Sequence, residues 1–351
     1  MSKPPVRFGL VGFGAWGRFH AQSIAGNPGA RLAAITVPSE ASRAEAVRLH
    51  PGAEVFTDHR SMLAAGGIDI VDVVTPSHTH LAVATDALAA GCDVLPEKPM
   101  ALTIPDCQAI VRTARRHGRR LAVGHELRLS SQWGEIRRII DRGVIGDPQY
   151  VLVELSRKPY RLGASGWRYD PARVGSWVLE EPIHFFDLAR WYLEGAGRPV
   201  ELHAFGNSRD ASRPGLYDNF SAVFRYANGS YAVVSQTLAA FEHHQTVKVS
   251  GTRGALWAGW SGALDRTLEP TFFLKVFDGQ NLENVSLARH SGEVFELREQ
   301  IDRCVRMVRG EAPPAATGED GVWSAGLCLL AEESIRQGRP LPVPDLAEGL
   351  A

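Results

Sequence analysis

A lysine and a glutamate stand together in Glu97-Lys98-Pro99, directly after a short apolar run that has the length of a buried strand. An ammonium group at a strand end can donate a hydrogen bond to a substrate oxygen and stabilise negative charge that develops there. Earlier in the chain, a glycine-rich turn begins at Gly12, between an apolar run and a helical segment. A carboxylate and an amine therefore lie side by side in the sequence, at the position where a strand of a nucleotide-binding sheet would end.

The glycine-rich turn has the spacing Gly-x-Gly-x-x-Gly, and it comprises Gly12, Phe13, Gly14, Ala15, Trp16 and Gly17. Alone, this spacing also fits an ordinary glycine loop. Between a strand and a helix it predicts a tight turn whose backbone approaches a pyrophosphate closely, with the amides of the helix N-terminus directed at the phosphates.

Composition, charge and length limit the classes of protein to which this chain can belong. The formal net charge of −1 over 351 residues gives no overall field that would attract nucleic acid or an anionic membrane. The four cysteines are scattered and lack zinc-type spacing, which is typical of a reducing cytoplasm, and no metal site is expected. No apolar signal core follows the N-terminal methionine, so a cytoplasmic protein is predicted. The length suits two domains.

Over residues 1–124, short apolar runs alternate with helical patterns, which predicts an α/β domain with a doubly wound parallel sheet. Strands are expected at residues 6–11, 32–36, 70–74, 93–97 and 121–124. The helix that follows Thr103 shows an i, i+3, i+4, i+7 stripe, and Thr103 with Asp106 predicts its cap. We therefore expect a Rossmann nucleotide-binding domain in this part of the chain.

After about residue 148, the apolar period changes to two, and Asn228-Gly229 between alternating runs predicts a hairpin. Residues 125–351 are therefore predicted to form a second α/β domain with a large, open, mostly antiparallel sheet and C-terminal helices that pack back. Such a sheet buries one face under the few helices and leaves the opposite face uncovered. We expect that face to pair with a second copy, giving a homodimer or homotetramer.

Taken together, the motifs resemble the glucose-fructose oxidoreductase and inositol dehydrogenase family (Gfo/Idh/MocA), nearly end to end. The motifs that carry the resemblance are the glycine turn, residues 75–80 (Thr-Pro-Ser-His-Thr-His), Glu97-Lys98-Pro99, residues 166–171 (Gly-Trp-Arg-Tyr-Asp-Pro), His184 with Asp187, and residues 313–321. Because these motifs occur in this order along one chain, together they indicate the family far more specifically than any single motif does. The resemblance implies an NAD(P)-dependent oxidoreductase that acts on sugars, sugar derivatives or cyclitols.

The resemblance also implies three catalytic residues, Lys98, His184 and Glu180. The family pattern Asp-x-Gly-x-His-x-x-Asp is changed here, since Glu180 replaces the first aspartate and Pro182 the glycine. Proline lacks an amide hydrogen, so the helix that carries His184 should begin just before Pro182 or bend there. Asp187 lies three residues after His184 on the same helical face, and we expect it to orient or cap locally rather than react.

Oxidation of a secondary alcohol requires a base within hydrogen-bond reach of the hydroxyl as the hydride leaves. His184 suits that role because its ordinary pKa lies near neutrality, and Lys98 can stabilise the developing alkoxide. Two rival functions fit the same motifs. One is transient oxidation of a ring carbon that permits elimination of a glycosidic bond, and the other is a dinucleotide sensor without turnover.

The resemblance places Thr75 and Pro76 beside the nicotinamide, and we interpret His78 and His80 as residues that pack the loop around the cofactor. Four further residues are predicted to line the substrate pocket: Tyr160, Trp167, Arg168 and Asp170. An aromatic side chain offers a flat face to a sugar ring and polar groups bind hydroxyls, although core packing would equally explain Trp167.

Cofactor preference is expected to depend on the end of the second strand, where an acid usually binds the ribose hydroxyls of NAD. Val37 occupies that position, and no acid follows until Glu40. Ser39 and Arg43 could instead hold a 2′-phosphate, so NADP is weakly favoured over NAD.

Overall fold

The computed structural model describes residues 3–238 and 240–350. The chain divides into two compact units. The first contains the chain up to Glu126 together with Leu297–Val322, and the second contains Leu127–Glu296 together with Trp323–Glu348. The domains predicted from the sequence are contiguous, whereas the first unit takes in a C-terminal segment. Buried residues of that segment, including Ile301, join the core around Phe8.

The first unit contains a parallel sheet with the strand order β3-β2-β1-β4-β5. Its strands are β1 (Val6–Val11), β2 (Ala30–Thr36), β3 (Glu54–Phe56), β4 (Ile70–Val73) and β5 (Asp93–Pro96). The order reverses between β1 and β4, which confirms the predicted doubly wound sheet. Strand β3 was not expected, because it is short and only half buried. The strand predicted at residues 121–124 is wrong in extent, since only isolated bridges form there.

Five helices follow these strands along the first part of the chain: α1 (Ala15–Ala25), α2 (Glu40–Leu49), α3 (His59–Ala65), α4 (His80–Ala89) and α5 (Ile104–Arg116). In α5, the buried residues are the predicted stripe of Cys107, Ile110, Val111 and Ala114. The hydroxyl of Thr103 accepts a hydrogen bond from the amide of Asp106 at 3.2 Å, which confirms the predicted cap.

The second unit contains a sheet with the strand order β13-β12-β11-β10-β6-β9-β8-β7-β14. Its strands are β6 (Pro148–Arg157), β7 (Pro199–Asn207), β8 (Asn219–Tyr226), β9 (Tyr231–Thr237), β10 (His243–Gly251), β11 (Ala255–Gly262), β12 (Thr271–Phe277), β13 (Leu282–Asn284) and β14 (Leu341–Pro342). Only β6 and β9 pair in parallel, and the other described ladders of this sheet are antiparallel, as predicted. The Asn228-Gly229 hairpin joins β8 to β9, with Gly229 at a φ of 89°.

The remaining helices of the described chain are α6 (Trp133–Asp141), α7 (Pro171–Val174), α8 (Pro182–Tyr192), α9 (Glu293–Val308) and α10 (Gly318–Gln337). Helix α8 packs against β6 and β9 and covers one face of the large sheet. The opposite face carries Trp257, Leu152 and Val223 on one cross-strand row, with Lys248 between the first two. In the parts of the chain that the structure describes, no helix has both the length and the apolar character needed to cross a membrane.

Candidate active site

The glycine-rich turn joins β1 to α1, and its backbone leaves no room for side chains at two positions. A Cβ atom on Gly12 would lie 2.4 Å from the carbonyl oxygen of Val74, and one on Gly17 would lie 2.2 Å from that of Gly12. A Cβ atom on Gly14 would meet no heavy atom within 4 Å. The turn is therefore packed tightly on its inner side and open at Gly14.

The open side suits a phosphate group. Gly14 is the N-cap of α1, where no side chain caps the helix and the first turn contains no acidic residue. Amides at an uncapped helix N-terminus bind anions, so the residues present fit a dinucleotide. Ala15 is exposed beside Gly14, Phe13 is buried in the core and so offers only its backbone, and Trp16 is half buried.

The end of β4 and the end of β5 are held together by His80. Its Nδ1 lies 2.9 Å from the carbonyl oxygen of Pro99, and its Nε2 lies 2.8 Å from that of Thr75. His80 is 1 % exposed, and burial lowers the pKa of its imidazole. Both ring nitrogens thus contact the backbone, so His80 shapes the loop at Thr75 and Pro76 and the turn that follows Lys98.

Lys98 is half buried at this edge of the parallel sheet. The preceding residue, Glu97, is 6 % exposed, and its carboxylate accepts a hydrogen bond from the amide of Lys98 at 3.3 Å. Glu97 also lies against His20, a buried residue of α1 that the sequence reasoning did not single out. The buried stripe of α1, in which His20 follows Gly17 and precedes Ala21, was the signal that could have revealed it.

The β2–α2 junction contains the residues that were predicted to determine cofactor preference. Val37 is 5 % exposed, and the hydroxyl of Ser39 caps α2 by accepting a hydrogen bond from the amide of Ser42 at 3.3 Å. Arg43 donates to the carbonyl oxygen of Pro38 and lies at the surface. The side chains of Ser39 and Arg43 are thus near the strand end, each with a local backbone partner.

In the second unit, His184 lies in the first turn of α8 and is 2 % exposed. The helix begins at Pro182, as the first of the two expected alternatives predicted. Proline suits the first helical position, because an amide hydrogen there would have no acceptor within the helix. The substitution of glycine by proline thus sets the start of the helix and keeps His184 at its N-terminal end.

Glu180 and the pocket residues predicted from the sequence lie in one cluster of the second unit. Arg168 donates through Nε to the Glu180 carboxylate, and its guanidinium lies 4.8 Å from the ring centroid of Trp167. Trp167 packs against the cluster of buried aromatic residues that contains Tyr160. Asp170 instead caps α7, since its carboxylate accepts a hydrogen bond from the amide of Ala172 at 3.0 Å.

The covered face of the large sheet changes from apolar to polar at one end. On β6, Val151, Val153 and Leu155 face the core, and Arg157 continues the same alternation. On β9, Gln236 continues an inward run in the same way, and on β10 Gln245 and His243 do so. In register, Leu155 lies between Gln236 and Gln245, and Arg157 lies opposite His243.

These inward polar residues were missed from the sequence, although polar side chains that extend an inward-facing alternation are a recognisable signal. The hydroxyl of Tyr160 donates to Gln236 Oε1 at 3.0 Å, and Gln236 Nε2 has no partner among the described residues. Gln245 Nε2 donates to His243 Nε2 at 2.9 Å, and Glu181 Oε1 lies 3.2 Å from the same ring nitrogen. His243 Nδ1 has no partner within residues 3–238 and 240–350. Burial, with the Arg157 charge adding to it, lowers the pKa of His243 to about 3, so it is neutral.

Asp187 does not serve the local role on its own helix that the sequence suggested. Its carboxylate accepts two hydrogen bonds of 2.7 Å, from Nε and Nη2 of Arg128. The two side chains are 1 % and 5 % exposed, and the guanidinium lies 5.1 Å from the ring centroid of Trp191. This buried ion pair fixes α8 to the segment that precedes α6.

Comparison with known proteins shows the family of this chain. Residues 6–125 match the family model described as "Oxidoreductase family, NAD-binding Rossmann fold", and residues 133–257 match the model for the GFO/IDH/MocA C-terminal domain. The chain is 28 % identical over 345 residues to an inositol 2-dehydrogenase of Rhizobium meliloti, covering 96 % of this chain and 99 % of the relative. It is 27 % identical over 341 residues to a 1,5-anhydro-D-fructose reductase of Ensifer adhaerens, covering 95 % and 97 %.

Among solved structures, the crystal structure of a putative myo-inositol dehydrogenase from Sinorhizobium meliloti is similar, with a TM-score of 0.81 and 26 % identity. That similarity covers 97 % of this chain and 100 % of the other. The family acts on CH–OH groups with NAD(P). The glycine-rich turn, the two sheets and these matches together show that the chain belongs to the Gfo/Idh/MocA family of oxidoreductases.

Proposed function

We propose that the protein transfers a hydride between NAD(P) and a secondary alcohol of a neutral polyol, namely a sugar, sugar derivative or cyclitol. The polar end of the covered sheet face, at the end of the unit where α8 begins with His184, is the observation that carries this proposal. Hydroxyl groups need both donors and acceptors, and Gln236, His243 and Tyr160 offer them from buried positions.

Charge pairing favours a neutral substrate over a sugar acid. Arg157 binds the Glu181 carboxylate and lies 3.6 Å from that of Asp265, and Arg168 binds Glu180. A substrate carboxylate would have to displace one of these carboxylates before it could use either arginine. A neutral polyol requires no such exchange.

In the proposed reaction, His184 accepts the hydroxyl proton and Lys98 stabilises the alkoxide as it forms. Glu180, held by Arg168, binds a neighbouring hydroxyl. The nicotinamide, when bound, supplies the carbon that accepts or returns the hydride. Gly14, Ala15 and the first amides of α1 would hold the pyrophosphate, and Thr75 and Pro76 would lie beside the nicotinamide.

A substrate panel tests the proposal. Inositols, hexoses, aryl glycosides and uronic acids would be assayed at 340 nm with NAD and with NADP, using the wild type, Lys98→Ala and His184→Ala. We expect turnover to fall about a hundredfold or more in each variant, with cofactor affinity largely retained in His184→Ala. The half-buried His244 and the exposed Lys3 provide matched controls, since their alanine variants should retain wild-type turnover.

Other outcomes of the panel would select the rival functions. Release of an aglycone without net NAD(P)H formation indicates transient oxidation of a ring carbon. Tight cofactor binding with no turnover of any sugar or cyclitol indicates a sensor. Wild-type turnover in His184→Ala contradicts its role as the base.

For the cofactor, we propose a weak preference for NADP, supported by Val37 at the position of the usual acid and by Arg43 nearby. Displacing Arg43 from the Pro38 carbonyl oxygen would free its guanidinium for a 2′-phosphate. We expect Arg43→Ala to weaken NADP binding about tenfold and to leave NAD binding unchanged. Tighter binding of NAD than of NADP by the wild type contradicts the preference.

We propose further that the uncovered sheet face pairs with a second copy in a homodimer or homotetramer. It carries Trp257, Phe205 and Leu282, which are 46 %, 67 % and 68 % exposed. Large apolar side chains clustered on one face indicate a protein interface. Light scattering after size exclusion should show an oligomer for the wild type and a smaller species for Trp257→Glu, whereas a monomeric wild type at micromolar concentration contradicts the proposal.

A further inference from the structure

Three ionisable side chains of the first unit are buried together outside the predicted catalytic residues. His20 of α1 is 0 % exposed, and its Nδ1 donates to Asp72 Oδ2 at 2.7 Å. On the other side of the ring, Nε2 lies 3.1 Å from Glu97 Oε1. Asp72 on β4 is 0 % exposed and Glu97 at the end of β5 is 6 % exposed. One imidazole thus stands between two buried carboxylates.

The charges of this cluster depend on the proton of His20. Burial alone would lower the pKa of His20, but attraction to Asp72 and Glu97, together with the hydrogen bond to Asp72, raises it to about 10. Burial raises the pKa of the Asp72 carboxyl, whereas for Glu97 the interaction with His20 outweighs burial and lowers the pKa. With both carboxylates ionised, the cluster has one positive and two negative charges. The other groups that face it are the indole of Trp16, the ammonium of Lys98, the imidazole of His80 and the thiol of Cys304, whose pKa burial raises above its usual range. Without the imidazolium, two carboxylates would stand in the core with no buried cation.

The cluster connects the glycine-rich turn to the strand end that carries Lys98. Trp16, in the first turn of α1, hydrogen-bonds the Glu97 carboxylate, and the amide of Lys98 donates to Oε2 of that carboxylate at 3.3 Å. The amide of Glu97 donates to the carbonyl oxygen of Val73 at 2.9 Å. Movement of the Glu97 side chain would therefore disturb both Trp16 and the backbone of Lys98.

We propose that His20 is a positioning residue, which as an imidazolium holds Asp72 and Glu97 together and thereby fixes Lys98 relative to the helix that follows the glycine-rich turn. Groups that hold a reacting side chain in place act on rate through geometry, without contact with the substrate. For its effect on turnover, this inference rests on the proposed function, in which Lys98 stabilises the alkoxide.

Charge restoration provides the test. His20→Gln keeps a similar size and a hydrogen-bonding group but removes the positive charge that lies between the two carboxylates. The double variant His20→Gln/Asp72→Asn has the same net charge as the wild type, and the single variant Asp72→Asn completes the double-mutant cycle. All four proteins would be assayed at pH 9, where a carboxylate is least able to take up a proton, and well below their unfolding temperatures.

We expect kcat to fall at least about tenfold in His20→Gln with little change in the substrate KM, and to recover most of that loss in the double variant. A merely structural histidine would lower the unfolding temperature and leave kcat of the folded protein unchanged, and that result overturns the proposal. Equal kcat in His20→Gln and in the double variant would also contradict it, because charge would then not be the cause.

A second measurement does not depend on the reaction. The rate at which an amine reagent modifies Lys98, followed by mass spectrometry of its peptide, reports the environment of that amine in each variant. We expect a change of at least about threefold in His20→Gln and a return to the wild-type rate in the double variant. If the wild type oxidises no polyol, the proposed function fails, and the modification rates still decide the role of His20. Identical rates in the four proteins refute it.

Discussion

The buried pair of Arg128 and Asp187 gives a quantitative prediction for Asp187→Asn. Asparagine keeps the shape of the side chain and can accept one of the two hydrogen bonds that the guanidinium now donates. The negative charge is lost, however, and Arg128 is only 5 % exposed. The change therefore leaves a buried cation without its carboxylate.

The magnitude follows from the burial of both partners. Breaking a buried ion pair by neutralising one partner costs about 3–5 kcal/mol, because the remaining charge stays desolvated. Retention of one neutral hydrogen bond and of the contact with Trp191 places the expected loss near the lower limit, at about 3 kcal/mol. Replacing both partners, in Arg128→Met/Asp187→Leu, should cost less than Asp187→Asn, since no buried charge is left unpaired.

Urea unfolding at pH 7, followed by the fluorescence of the chain's tryptophans, would measure the loss. The control is Asp141→Asn, which breaks the i,i+4 pair with Arg137 on α6, where the aspartate side chain is 53 % exposed. That exposed pair should contribute about 0.3–0.5 kcal/mol. A loss for Asp187→Asn no larger than that of the control would refute the reasoning.

Two further predictions concern the glycine turn and α10. Gly14→Ala should weaken NAD(P) binding at an unchanged unfolding temperature, because its Cβ atom meets no protein atom within 4 Å, whereas Gly17→Ala should lower the unfolding temperature through the 2.2 Å contact. Burial raises the pKa of Glu332 to about 7, so its charge destabilises the fold increasingly as pH rises from about 4.5 to 7. Glu332→Gln should thus raise the free energy of unfolding by about 1–3 kcal/mol at pH 8 and change it little at pH 4.5. Calorimetry at the two pH values, with cofactor titration of the glycine variants, checks both predictions, and a gain for Glu332→Gln at the lower pH only would contradict the second.

Patterns that are local in the chain were sufficient for most of the fold. The alternation of strands and helices up to residue 124 predicted the doubly wound sheet, because each amphipathic period depends only on neighbouring residues. The hairpin at Asn228-Gly229 was predicted for the same reason, and the start of α8 at Pro182 was one of two alternatives that the proline allowed. Strand β11 was not predicted, since Gly259 interrupts its apolar run.

The partners of buried charged groups could not be read from the sequence. Arg128 and Asp187 are 59 residues apart in the chain, and His20 and Asp72 are 52 apart. No periodicity indicates which of the chain's many charged residues meet, because the pairing depends on how helices pack on sheets. That Gln236 and Gln245 flank Leu155, and that Arg157 lies opposite His243, likewise follows only from the strand register.

The sequence by itself thus determined the nucleotide-binding turn, the two sheets and the candidate residues Lys98 and His184, each through a short motif or a local period. Only the tertiary structure decided that Asp187 binds Arg128 and that His20 stands between two carboxylates. The physical reason is that a side chain's type is fixed by the chain, whereas its pKa and its role depend on desolvation and on partners that folding brings from distant positions.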